Sequence, residues 1–358
     1  MNEGCLKLTT YFGERDRMDR MLVADALLDL YAKAEIETSV LLRGVTGFGL
    51  KHHLRTDRLL TLSEDLPLIT VAVDTSPRIE AVLDGVTKLQ RRGLLTLERA
   101  RMITDGAGTI SLPGELNEAT KLTIYVGRKE RVAGKPAFIA ICDLLHRRGI
   151  AGATALLGVD GTVRGERKRA RFIARNGDVP MMVLAVGTGE RVAAVLPELS
   201  GLLKHPLFTL ERLRVCKRDG ELIERPHPLP AKDEHGLDLW QKLMIYSSEG
   251  AKHEGRPFHD ELIRRLRRSG AAGATSVRGI WGYHGDHRPH GDRLWQLRRN
   301  VPVVTIVVDE PGRIAAAFET VDELTAEHGL VTSEMVPAME VSSEDEQRGG
   351  LRLARHRF

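Results

Sequence analysis

The sequence is poor in several features that mark specialised classes of protein. Aromatic residues make up 4% of its 358 residues, only three cysteines (Cys5, Cys142 and Cys216) occur, and the net charge is +4. Few aromatics and little net charge argue against a surface that binds nucleic acid. No apolar run approaches the roughly 18 residues of a membrane span, and the first residues lack the layout of a signal peptide. An odd number of cysteines without metal-ligand spacing indicates free thiols, so we expect a cytoplasmic protein.

What the sequence does contain is one motif in three copies. The motif is Lys-Leu followed, after two intervening residues, by Tyr, and it occupies residues 7–11, 121–125 and 242–246. The segments that follow each motif also correspond in order and spacing. The intervals between successive copies of the motif are far longer than the roughly 20–50 residues of a solenoid unit, so they indicate a repeated domain.

Each copy is predicted to have the element order β-α-β-β-α-β. In the second copy, residues 121–126 alternate like a strand, and residues 136–147 have the apolar spacing of a helix. A later proline (Pro67, Pro180 or Pro302) opens an almost wholly apolar run that is typical of a central strand. This order is the ferredoxin-like pattern, which covers one sheet face with helices. Because the other face needs a partner, we expect an α+β protein whose three domains form an intramolecular pseudo-trimer.

The domain boundaries follow from composition. Segments rich in glycine, proline and charged residues separate the copies, and the C-terminal segment is polar and then rich in arginine. We therefore predict repeats over residues 1–103, 119–216 and 239–340. Linkers are predicted over residues 104–118 and 217–238, and a disordered tail over 341–358.

The sequence resembles the PII-like superfamily of trimeric signalling proteins. The segment Gly149-Ile-Ala-Gly-Ala-Thr154 is followed by a Gly-x-x-Gly pair, a loop, a proline and a strand, and Arg43-Gly-Val-Thr-Gly-Phe-Gly49 is the counterpart in the first copy. The similarity covers all three repeats and is greatest to the bacterial branch known only as a domain of unknown function. Before the last strand, where PII proteins carry a Gly- and Lys-rich turn, this chain has Arg91-Arg-Gly93.

The resemblance implies a ligand and a kind of partner. Members of the superfamily bind adenine nucleotides in the clefts between subunits, and a loop after the second strand then docks onto a transporter, channel or enzyme. Members of this branch are often encoded near a small fluoride channel, which implies a membrane partner.

The candidate ligand-binding residues lie where this loop begins. Glycines there can turn backbone amides toward an anion, and nearby arginines can hold a phosphate, although a tight turn also requires glycine. The candidates are Arg43, Gly44, Gly47, Gly49, Gly158, Gly161, Arg278, Gly279 and Gly282. Further loop cations include Arg55 and the basic stretch from Arg164 to Arg171, for which we expect a docking role.

A second candidate site is a histidine-rich segment of the third copy. His284, His287 and His290 recur every third residue beside Asp286 and Asp292. Imidazole and carboxylate are ligands of zinc or nickel, but without cysteine the spacing is a weak signal. The favoured interpretation is a polar loop, with metal binding as the alternative.

No catalytic set of residues emerges, so we do not expect an enzyme. The favoured hypothesis is a monomeric regulatory protein that binds a small anionic ligand, such as an adenine nucleotide, in a cleft between repeats. Its loops would then act on a partner such as a membrane channel or transporter. Two alternatives stay open, a ligand-free scaffold for protein interactions and a metal-binding sensor of the same fold.

Overall fold

The computed structural model describes residues 2–49, 53–56, 65–104, 119–168, 178–284, 289–291, 301–327, 329–343 and 346–352. Within these ranges the chain is a mixed α+β protein with six helices and antiparallel strands, as the sequence predicts. Cys5, Cys142 and Cys216 are buried free thiols. No helix in the described part of the chain is long and apolar enough to cross a membrane.

Each repeat contributes long strands and two helices. Repeat one consists of β1 (Asn2–Gly13), α1 (Val23–Lys33), β2 (Thr38–Phe48), β3 (Pro67–Thr75), α2 (Ser76–Leu89) and β4 (Gly93–Ile103). Repeat two consists of β5 (Thr120–Gly127), α3 (Ala137–Arg147), β6 (Gly152–Leu157), β7 (Asp160–Val163), β8 (Pro180–Gly187), α4 (Gly189–Leu202), β9 (Leu207–Arg212) and β10 (Arg214–Arg218). Repeat three consists of β11 (Gln241–Ser248), α5 (Phe258–Arg268), β12 (Ala274–Arg278), β13 (Trp281–His284), β14 (Pro302–Asp309), α6 (Pro311–Leu324), β15 (Leu330–Met335), β16 (Ala338–Ser343) and β17 (Glu346–Gly349).

Within a repeat, the first strand lies in the centre of the sheet. In repeat one, β1 pairs with β3 on one side and β4 on the other, and β2 pairs with β3. Leu6 and Leu8 on β1 are fully buried in a core shared with Leu27 of α1 and Ile79 of α2. Because side chains alternate across a strand, Lys7 between the two leucines faces the opposite side of the sheet, away from the helices.

The second strands link the repeats in one direction. Residues 44–48 extend β2 beyond its own sheet and pair with β12 of repeat three. In the same way β13 of repeat three pairs with β6 of repeat two, and β7 of repeat two pairs with β2 of repeat one. Phe48 and Tyr283 are buried in the cores of the repeats that they reach, and the Tyr283 hydroxyl donates to the carbonyl of Ile150 at 3.1 Å. Each repeat is therefore bonded to both of the others.

The last strands link the repeats in the opposite direction. The end of β4 pairs with β9 of repeat two, β10 pairs with β15 of repeat three, and β16 pairs with β4 of repeat one. These pairings cover strand edges that would otherwise present unpaired amide and carbonyl groups to water.

The C-terminal segment differs from the disordered tail expected over 341–358. Its first part is an antiparallel hairpin of β16 and β17, and β16 covers the edge of β4. The polar composition suggested disorder, but this strand is stabilised by pairing with a distant edge that its local sequence does not reveal. The predicted linker over 217–238 also contains ordered structure, since β10 extends to Arg218 and Lys232 forms an isolated antiparallel β-bridge with Asp238. Residues 353–358 and most of the linker over 104–118 lie outside the described residues.

The glycines at the start of each loop lie where one repeat crosses another. A Cβ atom would approach the carbonyl oxygen of Ser39 to 2.0 Å at Gly161, that of Ala153 to 2.2 Å at Gly282, and that of Ala274 to 2.6 Å at Gly47. Real Cβ atoms are not found this close to a backbone oxygen. The close approach of two strands therefore explains the glycines without a ligand.

This explanation predicts that Gly161→Ala destabilises the protein by about 1–3 kcal/mol or more, because the new methyl group would overlap the backbone of repeat one. Gly201→Ala is the matched control, since a Cβ at Gly201 in α4 meets nothing within 4 Å. The control should be neutral or stabilising by up to about 1 kcal/mol. Urea unfolding measures both, and equal stability of the two variants would contradict the explanation.

Candidate functional site

A cluster of buried charges lies where the three sheets meet. The register of the first and last strand places a lysine opposite a glutamate in every repeat, and no member of the cluster is more than 7% exposed. The opposed pairs are Lys7 and Glu98, Lys121 and Glu211, and Lys242 and Glu334.

Each lysine contacts a glutamate of its own repeat and a glutamate of another repeat, and Lys121 also approaches Glu98 to 3.8 Å. The contacts within repeats join Nζ to a carboxylate oxygen at 2.7 Å for Lys7–Glu98, 2.8 Å for Lys121–Glu211 and 3.4 Å for Lys242–Glu334. The contacts between repeats are Lys7–Glu211, Lys121–Glu334 at 2.5 Å and Lys242–Glu98 at 2.8 Å. Positive and negative groups therefore alternate around a closed ring of six side chains, which we call the Lys–Glu ring.

The lysines favour the ionised form of two glutamates of the ring, Glu98 and Glu334, whose pKa values they lower against the effect of burial. Burial alone would raise the pKa of Glu98, but Lys242, Lys7 and Lys121 together hold that pKa well below 4.5. Burial alone would lower the pKa of Lys121, but its glutamate neighbours raise that pKa well above 10.5. Burial does lower the pKa of Lys242, whose contact within its own repeat is the longest of the three. With three lysines and three glutamates in mutual contact, the ring offers each buried charge a partner of opposite sign, which is how buried charges are tolerated.

The three glutamates also have the spacing of a metal site. One carboxylate oxygen from each of Glu98, Glu211 and Glu334 lies within 4.8 Å of the others. However, lysine ammonium groups contact all three carboxylates at hydrogen-bonding distances. A metal ion would have to compete with these cations, so we assign the ring a structural role.

The histidines of repeat three do not meet as a three-ligand group within the described residues. His284 lies on β13 opposite Gly152, and His290 lies opposite Gly282 in a short strand that pairs with β13. His287 lies outside the described residues. Metal binding by this triplet stays a prediction.

A cavity of about 280 Å³ lies between repeats one and three. Its apolar wall includes Tyr11, Phe48 and Ile306, and the start of β12 forms the side that belongs to repeat three. The C-terminal hairpin contributes Glu340 and Ser342. The volume is near the lower end of the range for small-molecule sites, about 300–1,000 Å³.

The polar groups of the cavity carry both signs of charge. Arg55 pairs with Asp65 at 2.9 Å, and Arg92 is exposed in the turn before β4. Asp16 accepts a hydrogen bond from the Gly13 amide at 2.7 Å, and burial raises the pKa of its carboxyl group. Burial also raises the pKa of Glu340, which is 7% exposed. The arginines can bind an anion, whereas the acidic groups favour a ligand that also donates hydrogen bonds.

The structure moves the centre of the candidate site away from most of the predicted residues. Of the predicted ligand-binding set, Gly49 lines this cavity. Arg43 instead pairs with Glu14 at 2.9 Å, and Arg278 pairs with Glu249 at 2.8 Å. Both arginines lie beside the loop, but they bind carboxylates just after the first strand of their own repeat.

The remaining predicted glycines pack against the proline that follows the loop. A Cβ atom would lie 2.7 Å from Cγ of Pro67 at Gly44, 2.3 Å from the carbonyl oxygen of Pro180 at Gly158, and 3.0 Å from Cγ of Pro302 at Gly279. The close packing therefore explains why glycine is required at these positions, just as the strand crossing does at Gly47, Gly161 and Gly282.

The loop cation Arg167 is a contact between repeats. Its guanidinium group pairs with Asp160 of its own repeat at 2.7 Å and with Asp25 of α1 at 2.7 Å, and it also binds Asp29. The side chain is 19% exposed. Arg167 therefore fastens the loop of repeat two to repeat one, and it is not displayed for an external partner.

Sequence reasoning missed the Lys–Glu ring and Arg92. The signal for the ring was present, because a lysine precedes a leucine at the same place in the first strand of every copy and because the last strands carry a recurring Thr-x-Glu, at Thr96, Thr209 and Thr332. The signal for Arg92 was the turn before the last strand of repeat one, which has Arg91-Arg-Gly93 where PII proteins carry a Gly- and Lys-rich turn.

Comparison with known proteins places the chain in a family. The family model DUF190, described as "Uncharacterized ACR", matches residues 5–102, 119–215 and 240–338. The protein therefore belongs to the DUF190 family and contains three tandem copies of its domain.

Two relatives show how this arrangement differs from a single copy. The chain is 38% identical over 95 residues to a UPF0166 protein of Aquifex aeolicus, a match that covers 26% of this chain and 88% of the relative. It is 33% identical over 89 residues to a UPF0166 protein of Methanocaldococcus jannaschii, covering 25% of this chain and 82% of the relative. These relatives therefore have about the length of one repeat.

The Lys–Glu ring predicts a large penalty for removing one charge. Lys121→Met should lower the free energy of unfolding by about 3–5 kcal/mol, because it leaves a buried carboxylate without compensation. The double variant Lys121→Met/Glu334→Leu should recover at least half of that loss, since it removes one charge of each sign. Lys135→Met, at a side chain that is 69% exposed, is the control and should change stability by no more than about 0.5 kcal/mol. Urea unfolding that shows additive losses in the double variant would argue against the ring.

The ring also predicts a dependence on acid. The pKa of Glu98 is well below 4.5 in the folded protein, so its contribution is fully present above pH 4.5 and is lost as the pH falls through the lower folded value. We expect the free energy of unfolding to fall below about pH 4.5, and to fall less steeply in Glu98→Gln. Denaturation at a series of pH values measures both slopes, and identical slopes would show that Glu98 is not held ionised.

Proposed function

We propose that this protein is a cytoplasmic regulatory protein of the PII-like kind. In this proposal three ferredoxin-like repeats form a pseudo-trimer within one chain, and an adenine nucleotide or a related anionic ligand binds between repeats one and three. The strand order of each repeat and the pairing of every repeat with both others support this arrangement. The relatives of about one-repeat length support it further, because three such chains would supply the same set of domains.

The cavity between repeats one and three is the observation that carries the proposal. It combines an apolar wall, suited to a base, with Arg55 and Arg92, suited to phosphate groups. Both arginines belong to repeat one, whereas β12 of repeat three forms the opposite wall. A ligand would therefore contact two repeats at once and report on their relative position.

The loop of repeat one is the route by which binding would reach a partner. Gly49 follows the last residue of β2 and lines the cavity, and Arg55 pairs with Gly47 of β2. Contacts between these residues and a phosphate would bias the conformation of the segment that joins them, which is a common switching device. A membrane channel or transporter as the partner is supported by the family resemblance alone.

A ligand-free scaffold is the second candidate function. Asp16, Asp65 and Glu340 line the same cavity, and their carboxylates would oppose an anion. In that case the arginines serve to neutralise the acidic groups, as Arg55 does for Asp65.

Calorimetric titration with ATP, ADP, AMP and cyclic AMP, with and without Mg²⁺, tests the proposal. We expect saturable binding of at least one nucleotide, weakened about tenfold or more in Arg92→Ala, because a charge-assisted hydrogen bond contributes about 1.5–3 kcal/mol. Arg91→Ala is the matched control in the same turn, and it should bind as the parent protein does, since Arg91 is not part of the cavity wall. The absence of binding across the panel, in folded protein, would favour the scaffold.

A further inference from the structure

The junctions between repeats differ in the side chain that a last strand brings to the neighbouring repeat. Between repeats three and one, which the backbone leaves without a covalent tie, β16 places Glu340 opposite Leu94 near the start of β4. Between repeats two and three, β10 places Arg218 opposite Leu330 at the start of β15. Between repeats one and two, β4 ends before it reaches the equivalent position. The same place in the fold therefore carries a carboxylate at one junction and a guanidinium group at another.

The residues around Glu340 fix its position. Met339 and Val341 are buried in the core of repeat one, and Ala338 is fully buried in a cluster with Trp240. Because side chains alternate along a strand, Glu340 lies on the same face as Ala338, away from the helices of repeat one. This face borders the cavity, and Glu340 is part of its wall. The carboxyl group is therefore held in place by the packing of its own strand.

The carboxyl group of Glu340 is only weakly compensated by the described residues. Its ion pair with Arg348 has a distance of 3.9 Å, which is too long for a hydrogen bond, and Arg348 also binds Glu310. Burial raises the pKa of Glu340, and the opposing effect of Arg348 does not cancel it. A hydrogen-bond donor inside the cavity would therefore stabilise the ionised carboxylate.

The apolar wall of the cavity lies at the level of Glu340. Tyr11 of β1 is opposite Leu94, which in turn is opposite Glu340. Tyr11, Leu94 and Ile306 all pack against the cluster that contains Ala338. An aromatic ring that contacts this wall would therefore present its edge to the Glu340 carboxylate.

The arginines of the cavity lie further along the strands. Arg55 lies over Gly13, two residues beyond Tyr11, since a Cβ atom at Gly13 would be 2.5 Å from its Nη1. Arg92 precedes Leu94 by two residues at the same end of the sheet. Two residues of a strand span about 7 Å. The cavity therefore has an acidic end beside its apolar wall and a cationic end about 7 Å away.

We propose that Glu340 determines which ligand the cavity accepts. Its carboxylate accepts a hydrogen bond from an amino group on an aromatic base, while Arg55 and Arg92 bind the phosphate group at the other end. An oxo group in place of the amino group would turn its lone pairs toward the carboxylate and be rejected. This role rests on the proposed function and narrows its ligand class to phosphates of amino-bearing bases, such as adenine as opposed to hypoxanthine.

Calorimetric titration with AMP and IMP tests this role, because the two nucleotides differ in the amino and oxo groups of the base. The parent protein should bind AMP about tenfold or more tightly than IMP. Glu340→Gln keeps the shape of the side chain and should reduce this preference to about threefold or less, since a neutral amide accepts a weaker hydrogen bond and can also donate one to the oxo group. Glu221→Gln, at an exposed carboxylate outside the cavity wall, is the control and should keep the preference.

Two smaller probes, para-aminophenyl phosphate and phenyl phosphate, separate this role from nucleotide binding. They share a ring and a phosphate group and differ in the amino group alone. The parent protein should bind the amino compound about tenfold more tightly, and Glu340→Gln should lose most of this difference. If the probes behave in this way and no nucleotide binds, the proposed nucleotide is wrong and the role of Glu340 stands.

Three results would overturn the role of Glu340. One is equal affinity of the parent protein for AMP and IMP. Another is a preference for AMP that Glu340→Gln retains in full, which would leave nucleotide binding intact but place the base elsewhere. The third is the failure of all four compounds to bind folded protein, which would contradict the proposed function as well.

Discussion

The ring of three lysines and three glutamates is the constraint on which the rest of the structure depends. Each lysine bridges a glutamate of its own repeat and one of another repeat, so no repeat can complete its charges alone. An unpaired charge at this depth would be strongly destabilising, and the ring is therefore satisfied only when all three sheets meet. Apolar packing makes the sheets adhere, and the ring specifies how they are arranged.

The strand exchanges at the edges follow from this arrangement. Once the sheets meet around the ring, the extended second strands reach the next repeat on one side, and the extended last strands reach it on the other. Glycine is required wherever two backbones cross, as at Gly161 against Ser39. The junction without a covalent tie contains the cavity, so the site of proposed binding lies where the structure depends most on contacts alone.

The sequence predicted local features better than long-range ones. The three copies, the α+β class and the central apolar strands follow from a repeated motif and from periodicity, which are local properties. The partner of Lys7 could not be predicted, because it depends on a strand register and on the meeting of separate sheets. The hairpin of β16 and β17 was missed for the same reason, since the edge of β4 that it covers is far away in sequence. Arg43 was predicted to bind a ligand because it lies beside a loop. Its pairing with Glu14 could not be predicted, because the two residues are far apart in sequence.

The property that most needs testing is closure of the three repeats into a ring with equivalent contacts. Urea unfolding of a circularly permuted chain tests this claim most directly, with repeat three joined to repeat one and new termini placed within residues 105–118. We expect a single cooperative transition with nearly the free energy of unfolding of the parent, because every contact between repeats is retained. Separate transitions for individual repeats, in a permuted chain that is soluble, would contradict it.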